Sequence, residues 1–300
     1  MGSQFWWFYD IVAAAVFLVC IFLAGKKGVL RGAIAAVGCV IALALALGIS
    51  TGAADGVYQN TMRSSNIKKV AKVIRQDVFL YKYAAYLESL DANIDPSYDR
   101  LDAIFSSENK NYDEQLSKYI NNINGRRLYD DEETLRVVHE GYAVVIGELV
   151  SQSMNKYAAE VAMKEIRKNP ETMQELIPMI HFREEGESVP PAKFITDNYT
   201  APAYVTIYKL AGLLIVFILA FLFTLYMSYS IASKQEPSRP VEYIISGSTG
   251  IFTGAAIVFI IAAAVRLWAV LGSNEMLFFN NEVIDRSLIF KYFYNLVSKL

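Results

Sequence analysis

Two stretches of this chain carry residue types suited to metal chemistry. His139-Glu140 supplies the first half of the His-Glu-x-x-His arrangement, in which two histidines one helical turn apart hold zinc and the glutamate acts as a base. The second histidine would have to stand at position 143, which is Ala143, so a zinc hydrolase is not expected. His181 has no second ligand near it in the sequence. Asp91, Asn93, Asp95, Asp99 and Asp102 fall at the first, third, fifth, ninth and twelfth positions of a calcium-loop spacing. The sixth position, where the sharp turn needs glycine, is Pro96, and Asp102 is shorter than the usual bidentate glutamate. The stretch therefore reads as a solvated acidic turn, with calcium as the competing reading.

Other catalytic patterns are broken in the same way. Gly247-Ser248-Thr249-Gly250 is not the Gly-x-Ser-x-Gly of a nucleophile elbow, and no phosphate loop occurs. No cofactor or metal is expected, and the chain is read as a non-enzyme. Asn198-Tyr199-Thr200 has the form of a glycosylation acceptor, which matters only where exported chains are glycosylated. Two charges stand where lipid makes charge costly, Asp10 at the start of one apolar run and Arg266 near the end of another. Ionisable groups at such places face other helices or water and pair. One reading is an Asp10–Arg266 bridge or a shared polar pocket; the other is that each reaches the interface alone.

The elements that must position these residues are mostly apolar helices. Hydrophobic residues make up 54% of the 300 residues, in long uncharged runs, which marks a membrane protein. Ile11 to Ala24, preceded by the aromatic belt Phe5 to Tyr9, is long enough to cross a hydrocarbon core of about 30 Å. Gly25 to Gly32 breaks the run with Lys26, Lys27 and Arg31, and Ala33 to Ile49 forms a second span with small residues at Ala42, Ala44, Ala46 and Gly48. Leu210 to Ile231 and Ile244 to Leu271 are the third and fourth spans, joined by the polar turn Ser233 to Pro240. Ser246, Gly250 and Gly254 recur every four residues on the last one, a small-residue face that permits close helix contact. We expect Gly250 and Gly254 to meet span two at Ala42, Ala46 and Gly48. Cys20 and Cys39 lie inside spans and read as small apolar fillers. No Lys or Arg precedes the first apolar run, so a cleavable signal is not expected there.

Residues 51–203 differ in kind. They hold 24 acidic against 18 basic side chains and no run able to span a bilayer. Apolar residues recur every three to four positions over Ile67, Val70, Ile74, Val78, Tyr81 and Ala85, and again over Leu135, Val138, Tyr142, Ile146, Leu149 and Tyr157. The second pattern predicts one long helix capped by Asp130 and ended by Asn169-Pro170, with shorter pieces around Leu101 to Phe105 and Tyr112 to Ile123. The proline-rich stretch from residue 170 to 203 predicts a short helix followed by an extended connection. The tail, 273–300, is too short and too charged to span; it reads as an amphipathic piece lying on the membrane surface or packed on the soluble domain. The expected fold class is an all-α membrane protein: two transmembrane hairpins (1–50 and 204–272), a helical domain inserted at 51–203, and the tail.

The hairpin sequence resembles the start of the colicin V production protein (CvpA-like) family. The likeness rests on Tyr9-Asp10-Ile11-Val12, Gly25-Lys26-Lys27-Gly28, Arg31-Gly32 and Val37-Gly38. Later it rests on Gly247-Ser248-Thr249-Gly250-Ile251-Phe252-Thr253-Gly254 followed by Arg266. It covers roughly the first 50 and last 100 residues, and the middle is far longer than that family's usual loop. The resemblance implies a role in colicin V production or secretion and, more broadly, in the bacterial envelope. It singles out Asp10, Arg31, Gly250, Gly254 and Arg266 as structural or functional candidates.

The short turns carry Lys26, Lys27, Arg31, Lys234 and Arg239. Positive charge in short loops marks the cytoplasmic side, so both termini and the inserted domain are expected outside. The expected partners are the lipid bilayer and a protein partner or a second copy in the membrane. A net charge of −2 offers nothing to nucleic acid. The leading functional expectation is a non-enzymatic anchor or scaffold. The alternative, a small channel or transporter subunit, would need polar groups near the bilayer midplane, and no acid or base stands there.

Overall fold

The computed structural model describes residues 5–90, 95–108, 110–123, 129–181, 188–231, 240–272 and 281–300. It is all-α, with no strand among the described residues. The chain divides into two compact units: 1–57 with 205–300, and 58–204. The first boundary falls a few residues inside the 51–203 segment marked out by composition, and the second at that segment's end.

Among the described residues four helices are long and apolar enough to cross a membrane, and all but the last turn of the second and the first turn of the third belong to the first unit. They are α1 (Trp7–Lys27), α2 (Val29–Thr61), α11 (Ala201–Ile231) and α12 (Pro240–Leu271). Gly28, at φ 81° and ψ 160°, breaks α1 from α2 in a conformation that L side chains rarely adopt. Helix α2 continues well past the expected end at Ile49. Composition alone marked that end, yet nothing in Ser50 to Thr61 forbids a helix. Side chains buried on α2 include Ala35, Cys39, Ala42, Ala46, Ser50, Ala54 and Tyr58, recurring every three to four residues, whereas Ala44 and Gly48 face outward.

The closest approaches pair α1 with α12. Gly25 lies under the Tyr243 ring, Gly247 beside Ile21, and Gly254 beside Phe17, an antiparallel register. Similarly, Gly38 of α2 lies against Thr224 of α11, and Gly212 of α11 against Ser50, also antiparallel. Expectation and structure differ here: Gly250 and Gly254 meet α1, not span two. Helix α12 turns its glycines to α1 and its hydroxyls Ser246 and Thr249 to Gly32 of α2.

The tail forms α13 (Asn281–Asp285) and α14 (Phe290–Val297). These helices belong to this unit's core, not to the second unit. Phe290, Tyr294 and Val297, one face of α14, are buried with Tyr9, Ala13, Leu210 and Leu213. The other face exposes Tyr292 and Leu296. The turn at 232–239, with Lys234 and Arg239, lies outside the described residues, as do Phe278 and Phe279.

The second unit packs α3 (Arg63–Ala71), α4 (Gln76–Leu90), α5 (Tyr98–Phe105), α6 (Tyr112–Asn122), α7 (Asp131–Ser153), α8 (Lys156–Lys168), α9 (Met173–His181) and α10 (Val189–Ile195). The two stretches of helical spacing, 67–85 and 131–168, are each broken into two helices. The 67–85 pattern is interrupted at Lys72 to Arg75, which resets its phase. Helix α4 consequently buries Phe79, Tyr83 and Leu87 while Tyr81 is 63% exposed. The 131–168 pattern breaks at Met154-Asn155, where the Asn155 side chain accepts a hydrogen bond from the Ala158 amide (2.9 Å) and starts α8. Asp130 caps α7 as expected, accepting from the Glu133 amide at 2.8 Å. The 189–203 stretch is helical, not extended: Pro190 and Pro191 occupy the first turn of α10, where a missing N–H costs nothing, and a π turn (Thr196–Thr200) leads into α11.

Candidate functional site

Asp10 begins the site because its carboxylate receives three backbone amides. Leu288 donates to Oδ2 at 2.6 Å; Ile289 and Phe290 donate to Oδ1 at 2.8 and 3.1 Å. These are the amides that open α14. The next amide, Lys291, donates to Ser287 Oγ (2.9 Å), and Tyr292 donates to the Ile289 carbonyl (3.2 Å). The N–H groups at the start of α14, which the helix itself cannot satisfy, thereby find acceptors within the protein even though Leu288 and Ile289 are exposed. The anionic carboxylate also complements the positive end of the helix dipole. Tyr9, one residue earlier, stacks on Phe290 with ring centroids 4.7 Å apart.

The remainder of α14 is tied to α12 and α11 at this same end of the bundle. The Arg266 guanidinium of α12 lies 5.8 Å from the Tyr294 ring centre and donates to its hydroxyl at 3.3 Å. Lys209 Nζ donates to the Leu300 carbonyl at 2.8 Å. Asp10 and Arg266 are thus brought to one helix rather than to each other, so that separate contacts with the tail stand in place of the bridge that one of the two readings held out. The backbone amides of 288–290 outcompete a distant guanidinium because they offer converging donors in fixed positions.

Arg31 sits at the opposite end of α1–α2. Its guanidinium lies 5.5 Å from the Tyr229 ring centre, and its carbonyl accepts from Ser228 Oγ at 3.4 Å, joining the start of α2 to the end of α11. Gly250 is where two backbones come closest: a Cβ there would lie 2.5 Å from the Cys20 carbonyl oxygen and 2.6 Å from the Ile21 Cα. At Gly254 it would lie 2.8 Å from the Phe17 ring. Ser246 Oγ, on the same helix, donates to the Ala24 carbonyl.

In the second unit the polar residues of the broken motifs are structural ties. His139 Nε2 lies 3.1 Å from Asp113 Oδ2, and Tyr142 donates to Asp113 Oδ1 at 3.0 Å, so one carboxylate joins α6 to α7. Glu140 accepts two hydrogen bonds from Arg167 (2.8 and 2.6 Å), joining α7 to α8. The Arg167 guanidinium holds the Glu140 carboxyl below its usual range, against the opposing effect of partial burial. Burial, with Tyr83 and Asp113 adding to it, pushes the Tyr142 phenol well above its ordinary value. His181 is a core aromatic, stacked on Phe105 (5.4 Å) and edge-on to Phe79 (6.0 Å). Of the calcium-loop residues, Asp91 and Asn93 lie outside the described residues. Asp102 accepts from Gln76 Nε2 (3.0 Å) and stands 4.0 Å from His181 Nδ1. Among the described residues no group of three His, Cys, Asp or Glu side chains converges as a metal site would. An open cleft of about 740 Å³ lies along the exposed side of α7, lined by Asp130, Glu133, Arg136, His139 and Arg167.

Sequence reasoning singled out Asp10, Arg31 and Arg266 and missed what they touch. Tyr9, Ser287, Phe290 and Tyr294 gave one legible signal, the three-to-four spacing of Phe290, Tyr294 and Val297. Comparison with protein-family models, curated proteins and solved structures finds no match to this chain. The structure itself supports the coarser assignment: an all-α integral membrane protein with four apolar spans among its described residues, helices at 281–285 and 290–297, and a helical second unit.

Proposed function

We propose that this chain is a non-enzymatic, multi-pass anchor that offers its 58–204 unit to a partner in an envelope or secretion-related process. The resemblance to the colicin V production family motivates the process, and the basic short turns favour both termini and this unit lying outside the cytoplasm. The observation that carries the reading is the use of the chemically suggestive side chains. Asp10, Asp113, His139 and Glu140 each hold one helix to another. The bundle interior favours an anchor over a channel: Cys39, Ala42, Ala46, Leu213, Phe217 and Ala256 fill it with apolar atoms. Thr224 of α11 returns its hydroxyl to the Phe221 carbonyl of its own helix at 2.8 Å.

The test has two arms. A photo-crosslinking side chain at Leu135, 39% exposed beside the α7 cleft, should trap a discrete envelope protein in intact cells. The same group at Ile215, on an exposed apolar face of α11, should trap lipid. Purified protein in liposomes should pass ions and small solutes no faster than empty vesicles. Solute flux above that background, with no protein trapped at Leu135, would sink the anchor reading in favour of a channel.

A further inference from the structure

We propose that the groove between α1 and α12 holds an acyl chain of an anionic phospholipid, with the lipid phosphate held by Lys26 and Lys27. The groove opens outward from the bundle and has a volume of about 590 Å³. Leu18, Ile21, Phe22, Tyr243, Ile244 and Ile251 form its walls. Gly25 and Gly247 keep its floor low, because neither places a side chain between the two helices. From Leu18 to Gly25 the groove runs about 10 Å along α1. It leads directly to the cationic turn.

The rim supplies charge where a headgroup would sit. Lys26 Nζ lies 4.3 Å from the centre of the Phe22 ring, a groove wall, so the ammonium is over the mouth of the groove. Lys27 Nζ lies 5.7 Å from the Tyr229 ring centre of α11. Both cations lean on aromatic faces, and among the described residues no carboxylate is paired with either. Arg31 stands in the first turn of α2, and Glu242 is the acid in the first turn of α12. The described charge at this end therefore remains positive. An apolar slot ending at ammonium groups is complementary to a lipid with a hydrocarbon chain below an anionic headgroup, and each Lys near a membrane surface strengthens such attraction by about fivefold. A zwitterionic lipid fits the slot equally well but gains little at the rim.

The full-length protein in mild detergent provides the test, with bound lipids counted by native mass spectrometry and Tm followed on titration. Phosphatidylglycerol should be retained at least about fivefold over phosphatidylcholine and should raise Tm more. Lys26→Gln with Lys27→Gln should abolish that preference, whereas Lys26→Arg with Lys27→Arg should keep it. Ser248→Phe, filling the groove from its exposed side, should lower phosphatidylglycerol retention with both lysines intact. Millimolar inorganic phosphate should not displace the lipid. Equal retention of the two lipids by the unaltered protein would overturn the proposal, as would a preference that survives the double glutamine variant. Retention untouched by Ser248→Phe would remove the groove, displacement by phosphate would make the ligand a free anion, and a lipid-free dimer closed over this face would make the occupant a second copy.

Discussion

Asp10 is the residue on which the tail depends. Removing its carboxylate leaves the first amides of α14 without their protein acceptor, and loss of such a cap costs about 0.5–2 kcal/mol. Asp10→Ala should lower the Tm of the detergent-solubilised protein and expose the tail: a cysteine at Val297, buried in the native protein, should become reactive to a thiol reagent. Asp10→Asn, which keeps one acceptor oxygen, should fall between. Unchanged shielding of residue 297 in Asp10→Ala would show that apolar packing alone seats α14. Glu140 gives a pH-dependent counterpart. Arg167 depresses its folded carboxyl pKa, so the pair stabilises the fold above the unfolded carboxylate value of about 4.3, and that contribution is lost as pH falls through the lower folded value. Both side chains are more than a third exposed, so solvent screening limits the effect to about 0.5 kcal/mol or less. Glu140→Gln should remove a small part of the stability at neutral pH and flatten the acid limb of a pH–stability curve. An acid limb identical to that of the unaltered protein would show that the pair adds nothing.

At the scale of elements, the sharpest prediction concerns the α1–α12 seam. Leu at both Gly250 and Gly254 places side chains where the α1 backbone and the Phe17 ring lie, so the helices must separate and lose dispersion contacts. That variant should lower Tm well beyond Leu at both Ile257 and Ile261. In a background without Cys20 and Cys39, cysteines at Ile21 and Gly247 should form a disulfide, whereas cysteines at Gly38 and Gly250 should not, because Gly38 faces Thr224. The reverse pattern would restore span two as the partner of α12. In the second unit, the α7–α8 break depends on a local cap: Asn155→Ala should cost about 1 kcal/mol, measured as a shift in the urea midpoint of the same protein.

The molecule as a whole can be tested through the side of the membrane on which each unit lies. An impermeant thiol reagent applied to intact cells should label cysteines at Ser107 and Ser298 and reach one at Val29 only after permeabilisation. Those positions suit the structure: Ser287 is buried, and Gly28 has a backbone conformation that a cysteine would strain. Labelling of Val29 alone in intact cells would reverse the proposed orientation. Residues 58–204, a compact unit with its own core of Phe79, Tyr83, Phe105, Tyr142 and Ile146, should give a helix-dominated circular dichroism spectrum when expressed alone. A strand-dominated spectrum would contradict the fold.

The sequence by itself determined the elements whose cause is local. Four long apolar runs must be helices in a bilayer, since each backbone polar group has to be satisfied within its own segment, and Asp130 announces the start of α7 by its side chain alone. Periodicity also marked Val138, Tyr142, Ile146 and Leu149 as one buried stripe. It failed where a break of a few residues resets helical phase, as at Lys72 to Arg75, and where a cap such as Asn155 is hidden in an otherwise continuous pattern. Tertiary structure alone decided which helix each face meets. Gly250 is equally smooth to α1 and α2, and only the packing of the bundle chose α1. Asp10 and Arg266 were legible as charges needing partners, but the partners are backbone amides and a phenol more than 270 and nearly 30 residues along the chain, brought in by a tail helix. Charge and spacing specify that a buried ion must be satisfied; they carry no information about which distant segment folds back to satisfy it.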